Sequence, residues 1–224
     1  MTNESFNPAA VKAIFLDVDG TLRDTDDHYA SLFERALRPL LGLRAPQAAR
    51  SMVMRLEKPG NDALGLLDAL GLDGPVGRLM EAIARRRPPR RVDPNLIAGI
   101  PAAVAALGGR YPLAVITVRG ASATHAFLQA SGLAAYIPLV VHGLSTRRTK
   151  PAAEPVHHAC TQFGVQAAEC VMVGDTVVDV LAAKRAGAQA IGVLSGFGEE
   201  DELRQAGADL ILPSVAELPG VFGL

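Results

Sequence analysis

The chain has 224 residues, 49% of them hydrophobic, 4% aromatic and 20% charged, with 22 Lys and Arg against 23 Asp and Glu. A formal charge of −1 provides no global cationic field for a polyanion, which excludes non-specific nucleic-acid binding as the main function, and the apolar content excludes a disordered chain. Two cysteines cannot staple a chain of this size, no run reaches the roughly 20 apolar residues of a membrane span, and the polar residues 1–8 do not read as a leader, so the expectation is a soluble cytoplasmic protein with no membrane partner.

Short apolar runs of β type recur along the chain, at 11–16, 113–116, 139–141, 171–173, 190–194 and 210–212. Between them lie segments of helix length, at 95–107, 121–131, 154–163, 178–186 and 199–206. Continuous apolar strands alternating with helices predict an α/β fold, a Rossmann-like parallel sheet sandwiched by helices. Residues 24–92 break the alternation. They contain helical patterns at 27–40, 46–56, 62–70 and 75–87, punctuated by Gly or Pro, and no strand pattern. This predicts a core domain of residues 1–23 and 93–224, with a small helical-bundle cap subdomain inserted after the first strand.

Several strands end in residues able to do chemistry, at the edge of the sheet where ligands bind in this architecture. The first opens into Asp17-Val18-Asp19-Gly20-Thr21, in which two carboxylates two apart project to one side and Gly20 permits a sharp turn. Another ends in Gly174-Asp175, followed by Asp179 in the first turn of the next helix, where the helix dipole favours an anion. Carboxylates converging at strand ends repel one another unless a hard cation sits among them, and an all-oxygen set without Cys or His points to Mg²⁺. Thr117 ends the second strand and Lys150 follows the third. A hydroxyl, neighbouring backbone N–H groups and an ammonium suit a phosphoryl group.

These elements, in this order and spacing, resemble the haloacid dehalogenase-like hydrolase superfamily, in its phosphoglycolate-phosphatase-like branch with a helical cap. The residues carrying the resemblance are Phe15 to Leu22, Ile116-Thr117, Lys150-Pro151 with Glu154-Pro155, and Gly174-Asp175-Thr176 with Asp179. Ala186-Gly187-Ala188, Ile191-Gly192-Val193, Gly196-Phe197-Gly198 and Ala206-Gly207-Ala208-Asp209 add to it.

The resemblance implies a phosphatase acting through an aspartyl-phosphate on a small phosphorylated metabolite, with a phosphoglycolate-like compound among the candidates. Asp17 would be the nucleophile, and Asp19 the acid that protonates the leaving alcohol and then activates water. Asp17, the backbone carbonyl of Asp19 and Asp175 would hold Mg²⁺. Asp179 would orient a metal-bound water or Lys150 from behind the ligands, while Thr117, the N–H of Val118 and Lys150 would bind phosphoryl oxygens. An acid at Asp19 separates the chain from dehalogenases, whose halide leaving group needs no proton, and from phosphonatases, which carry a small residue there. A phosphosugar mutase, returning the phosphoryl group to a sugar, is the alternative enzyme. A phospho-dependent regulatory domain is the non-enzymatic one, and it leaves the Asp19-Gly20-Thr21 continuation unexplained.

The chain departs from the family pattern at Val118, where Asn or Ser is frequent, and at Arg23, where an aliphatic residue is usual. In capped relatives a Gly-containing cap loop selects the substrate, and here Lys58, within the loop at 57–61, and Arg55, just before it, are candidates for binding a substrate's second anionic group. The basic run 85–91 reads as a solvated helix end with a Pro hinge, with contact to an anionic substrate or polyanion as the alternative. The histidines, Cys160 and Cys170 read as surface or packing residues, and oligomeric state, monomer or homodimer, is open.

Overall fold

The computed structural model describes residues 6–24 and 93–224. The expected cap, including Arg55, Lys58 and the basic run 85–91, lies outside the described residues.

Six strands among the described residues form a single sheet. They are β1 (Ala13–Leu16), β2 (Leu113–Ile116), β3 (Leu139–Val141), β4 (Cys170–Gly174), β5 (Gln189–Val193) and β6 (Leu210–Leu212). All pairings are parallel, in the order β3-β2-β1-β4-β5-β6. The helices among the described residues are α1 (Ile100–Gly108), α2 (Ala121–Ser131), α3 (Glu154–Phe163), α4 (Val177–Ala186), α5 (Glu200–Ala206) and the short α6 (Leu218–Val221).

The apolar strand runs alternate between two cores, as a sheet covered on both faces requires. Ile14 and Leu16 of β1 pack with Leu113, Val115, Val171 and Val173 against Val104 and Leu107 of α1 and Phe127 of α2. Ala13 and Phe15 point the other way, with Ala114, Ile116 and Met172, against Val156 and Ala159 of α3 and Val180 and Ala183 of α4. Small residues on α3 and α4 let the helices approach closely, which suits a chain with few aromatics. Cys160 and Cys170 belong to this second core, unbridged, with their Sγ atoms 3.5 Å apart. Among the described residues no helix is long and apolar enough to cross a membrane.

The elements expected within the described residues are present with small shifts of boundary, and one shift is informative. The pattern at 95–107 predicts a helix over that whole range, but α1 begins only at Ile100. Residues 95–97 are used elsewhere: Asp24 N–H donates to Asn95 O at 2.8 Å, Ile97 N–H donates to Leu22 O at 3.1 Å, and Arg23 bridges to Leu96. Asn95 at φ 38° and Gly99 at φ 82° then turn the chain into the helix. The residues on either side of 25–92 thus lie side by side, close in sequence to Asp19.

Candidate active site

In this strand order β1 and β4 are neighbours, and crossovers run outward from them in opposite directions. The crevice at such a switch point is where an α/β sheet binds its ligand. Asp17 follows β1, with its N–H donating to Val173 O at 2.9 Å, and Asp175 follows β4. The sheet register thus brings together two carboxylates that are far apart in sequence. Asp17, Asp175 and Asp179 are all buried and offer oxygens within 4.8 Å of one another.

Asp179 reaches this cluster from the first turn of α4. It closes a capping box in which its Oδ2 accepts from the N–H and hydroxyl of Thr176 at 3.1 and 2.7 Å. Its other oxygen, Oδ1, accepts from Lys150 Nζ at 2.5 Å. Asp179 thus caps the start of α4 and holds Lys150 at the same time. Its contact with Lys150 suits it to orienting that ammonium.

Lys150 joins the two halves of the cluster. Its buried Nζ also donates to Asp17 Oδ1 at 2.7 Å, and among the described residues no hydrogen bond reaches Asp17 Oδ2. Burial works against the ammonium, yet Asp17 and Asp179 outweigh it and hold Lys150 above the usual lysine range. Asp17 is pushed up from 3.8 to about 7, chiefly by burial, with Asp179 and Asp19 adding to the rise and Lys150 opposing it. Asp175 is raised well above the carboxylate range by burial and by its like-charged neighbours. Such a set lacks positive charge, and a divalent cation bound by Asp17 and Asp175 would supply it.

Asp175 is closely enclosed. Thr21 Oγ1 donates to its Oδ1 at 3.2 Å and Phe197 N–H to its Oδ2 at 3.1 Å. Gly20, at φ +74°, and Gly196 both face this carboxylate so closely that a Cβ on either would collide with it. Ser195 Oγ donates to Gly20 O at 2.8 Å, tying the loop after β5 to the loop after β1. Gly196-Phe197-Gly198, which contributes to the resemblance without an evident role, thus packs against Asp175.

Thr117 is buried at the end of β2, next to β1, and its N–H donates to Val141 O. The N–H of Val118 has no partner among the described residues, while its side chain is exposed. The departure at Val118 therefore leaves an available backbone donor at the strand end.

Asp19 is placed differently from the other acids. Its side chain is 34% exposed and lies outside the buried cluster. Arg119 Nη1 donates to both of its oxygens, at 2.6 and 2.9 Å, and Arg23 Nη1 lies 3.8 Å from Oδ1. Arg119 does not stand out in the sequence. Its signal is weak, a cation two residues after the strand-end Thr117. Arg23 stands out as a departure from the pattern, without a role, and the structure shows it facing Asp19.

With this geometry in view, comparisons with known proteins converge. A haloacid dehalogenase-like hydrolase family profile matches residues 14–193. The chain is similar to a probable phosphatase IndB of Dickeya dadantii, at 33% identity over 92% of this chain and 91% of that one. It is also similar to a phosphoglycolate phosphatase of Nitrosospira multiformis, at 31% identity over 94% and 95% of the two chains. Among solved structures, a HAD family hydrolase from Deinococcus radiodurans with bound phosphate and sodium superposes with a TM-score of 0.68 at 21% identity, covering 96% of each chain, which speaks to the fold.

Proposed function

The chain belongs to the haloacid dehalogenase-like hydrolase family and is a phosphatase; from that premise we propose that it is a magnesium-dependent phosphomonoesterase working through an aspartyl-phosphate on Asp17. The observation that carries the proposal is the buried arrangement in which Lys150 bridges Asp17 and Asp179 beside Asp175.

Asp17, Asp175 and the backbone carbonyl of Asp19 would hold the metal. All-oxygen donors suit Mg²⁺, and Gly20 and Gly196 hold the chain close against the Asp175 carboxylate. When bound, Mg²⁺ supplies charge neutralisation between the carboxylates and the incoming phosphate. Thr117, the Val118 N–H and Lys150 bind the phosphoryl oxygens. Lys150 also restrains Asp17 so that an oxygen faces phosphorus.

In the first half of the reaction an Asp17 oxygen attacks phosphorus, the ester P–O bond breaks, and the leaving oxygen takes a proton from Asp19. In the second half Asp19 removes a proton from water, the water oxygen attacks phosphorus, and Asp17 leaves as a carboxylate. Two displacements replace one in which water would have to attack a dianion directly.

For the substrate we propose a small alkyl phosphate that carries a carboxylate, as phosphoglycolate does. The relatives named phosphoglycolate phosphatase support this. We place the enzyme in the cytoplasm, consistent with the unbridged Cys160 and Cys170. Residues 25–92, whose flanking residues lie side by side, are proposed to form the cap that selects substrate, with Arg55 and Lys58 as contributors. A panel of phosphorylated metabolites, assayed with Mg²⁺ and with EDTA for released phosphate and for isomerised product, tests the whole reading. Magnesium-dependent phosphate release highest with 2-phosphoglycolate is expected. Isomer formation without phosphate release would replace the hydrolase reading with a mutase.

A further inference from the structure

We propose that Arg119 is a positioning residue that sets the direction of the Asp19 carboxyl group for proton transfer to the leaving group; this rests on the reading of Asp19 as the acid.

Asp19 needs such a partner. Its side chain is partly exposed, and the carboxylates of Asp17, Asp175 and Asp179 carry like charge nearby. Left alone, a short mobile side chain in that field turns toward solvent, away from the reacting atoms. A general acid contributes only when held within hydrogen-bond reach of the leaving oxygen.

Arg119 is built to hold it. Its main chain is fixed on both sides, the N–H donating to Thr117 Oγ1 at 3.2 Å and the carbonyl accepting from Gly143 N–H at 3.1 Å. The origin of the side chain is therefore tied to the same strand end that offers Thr117 and Val118 to the phosphoryl group. From there one nitrogen, Nη1, meets both oxygens of Asp19 at 2.6 and 2.9 Å, which fixes the direction in which the carboxyl group points as well as its distance. Arg23 stands on Oδ1 at 3.8 Å, too long for a hydrogen bond but close enough to oppose rotation away. Among the described residues the buried Nε atoms of Arg119 and Arg23 have no hydrogen-bond partner.

The test is a double-mutant cycle read on two esters. kcat/KM covers the steps through departure of the alcohol, so it isolates the first proton transfer. 2-Phosphoglycolate has an alkoxide leaving group that needs a proton, whereas 2,4-dinitrophenyl phosphate releases a phenolate that needs none. With Mg²⁺ present, Arg119→Ala is expected to lower kcat/KM about 10- to 100-fold on the alkyl ester and less than about threefold on the aryl ester. In an Asp19→Ala background the same substitution should add less than about twofold. Arg119→Lys, which can present a single nitrogen to both oxygens, should recover most of the loss. Equal losses on both esters, or an undiminished loss in the Asp19→Ala background, would show that Arg119 acts on the phosphoryl group or the fold instead and would overturn the proposal. If Asp19→Ala itself loses equally on both esters, the assignment of Asp19 as the acid fails first, and the positioning role with it.

Discussion

Lys150 Nζ donates to Asp17 Oδ1 at 2.7 Å inside the protein, so the proposed nucleophile is held by the cation that is also proposed to bind the phosphoryl group. Removing one member of a buried pair leaves the other without compensation, which costs about 3–5 kcal/mol. We expect Lys150→Met to lower metal-free stability by about that amount in chemical denaturation and to remove turnover. Added Mg²⁺ should restore part of the stability, because a second source of positive charge relieves Asp17 and Asp179. Unchanged stability in EDTA would mean that the ion pair contributes nothing net.

The acidic cluster also fixes a pH dependence. Asp17 rises from 3.8 to about 7 in the folded chain, and Asp175 is raised as well. A raised carboxyl binds its proton more tightly folded than unfolded, so the metal-free protein loses stability as pH rises through this window, on the order of 4 kcal/mol for Asp17 between about pH 4 and pH 7. Lys150, raised above the usual lysine range, adds no slope there, since its contribution is lost only at much higher pH. In thermal unfolding, Mg²⁺ should therefore raise Tm more at about pH 7.5 than at about pH 5. The reverse order would contradict a cluster that exchanges protons for a cation.

Two glycines separate close approach from backbone strain. Gly196 faces the Asp175 carboxylate without a left-handed φ, whereas Gly20 faces it at φ +74°. Alanine at either site drives a methyl group into Asp175. We expect both Gly196→Ala and Gly20→Ala to weaken Mg²⁺ activation at least about tenfold, read from the concentration dependence of turnover. Gly20→Ala should carry a further stability loss of about 1–2 kcal/mol from the left-handed conformation.

Much of this architecture is legible in the sequence, for local reasons. Strands buried on both faces appear as unbroken apolar runs, and the carboxylates of interest sit where those runs stop, next to Gly20 or Gly174. The strand order is not legible, because which run pairs with which depends on contacts remote in sequence, and it is this order that sets Asp17 beside Asp175. The start of α1 differs from the sequence pattern because helical periodicity at 95–99 is overridden by pairing of that stretch with Leu22 and Arg23. Arg119 escapes notice for the same kind of reason. Nothing near it in the chain indicates that its guanidinium meets a carboxylate 100 positions away. Arg23 does stand out, but only its placement opposite Asp19 gives that departure a meaning.

The role of Asp17 as the nucleophile in a covalent phosphotransfer is tested most directly by phosphate release from 2-phosphoglycolate, in saturating Mg²⁺, by Asp17→Asn beside the unaltered protein. Asparagine keeps the shape at the end of β1 and removes the nucleophilic oxygen. We expect the variant to fold, to retain its thermal transition, and to release phosphate at least about a thousandfold more slowly. Turnover within about tenfold of the unaltered protein would contradict the aspartyl-phosphate route.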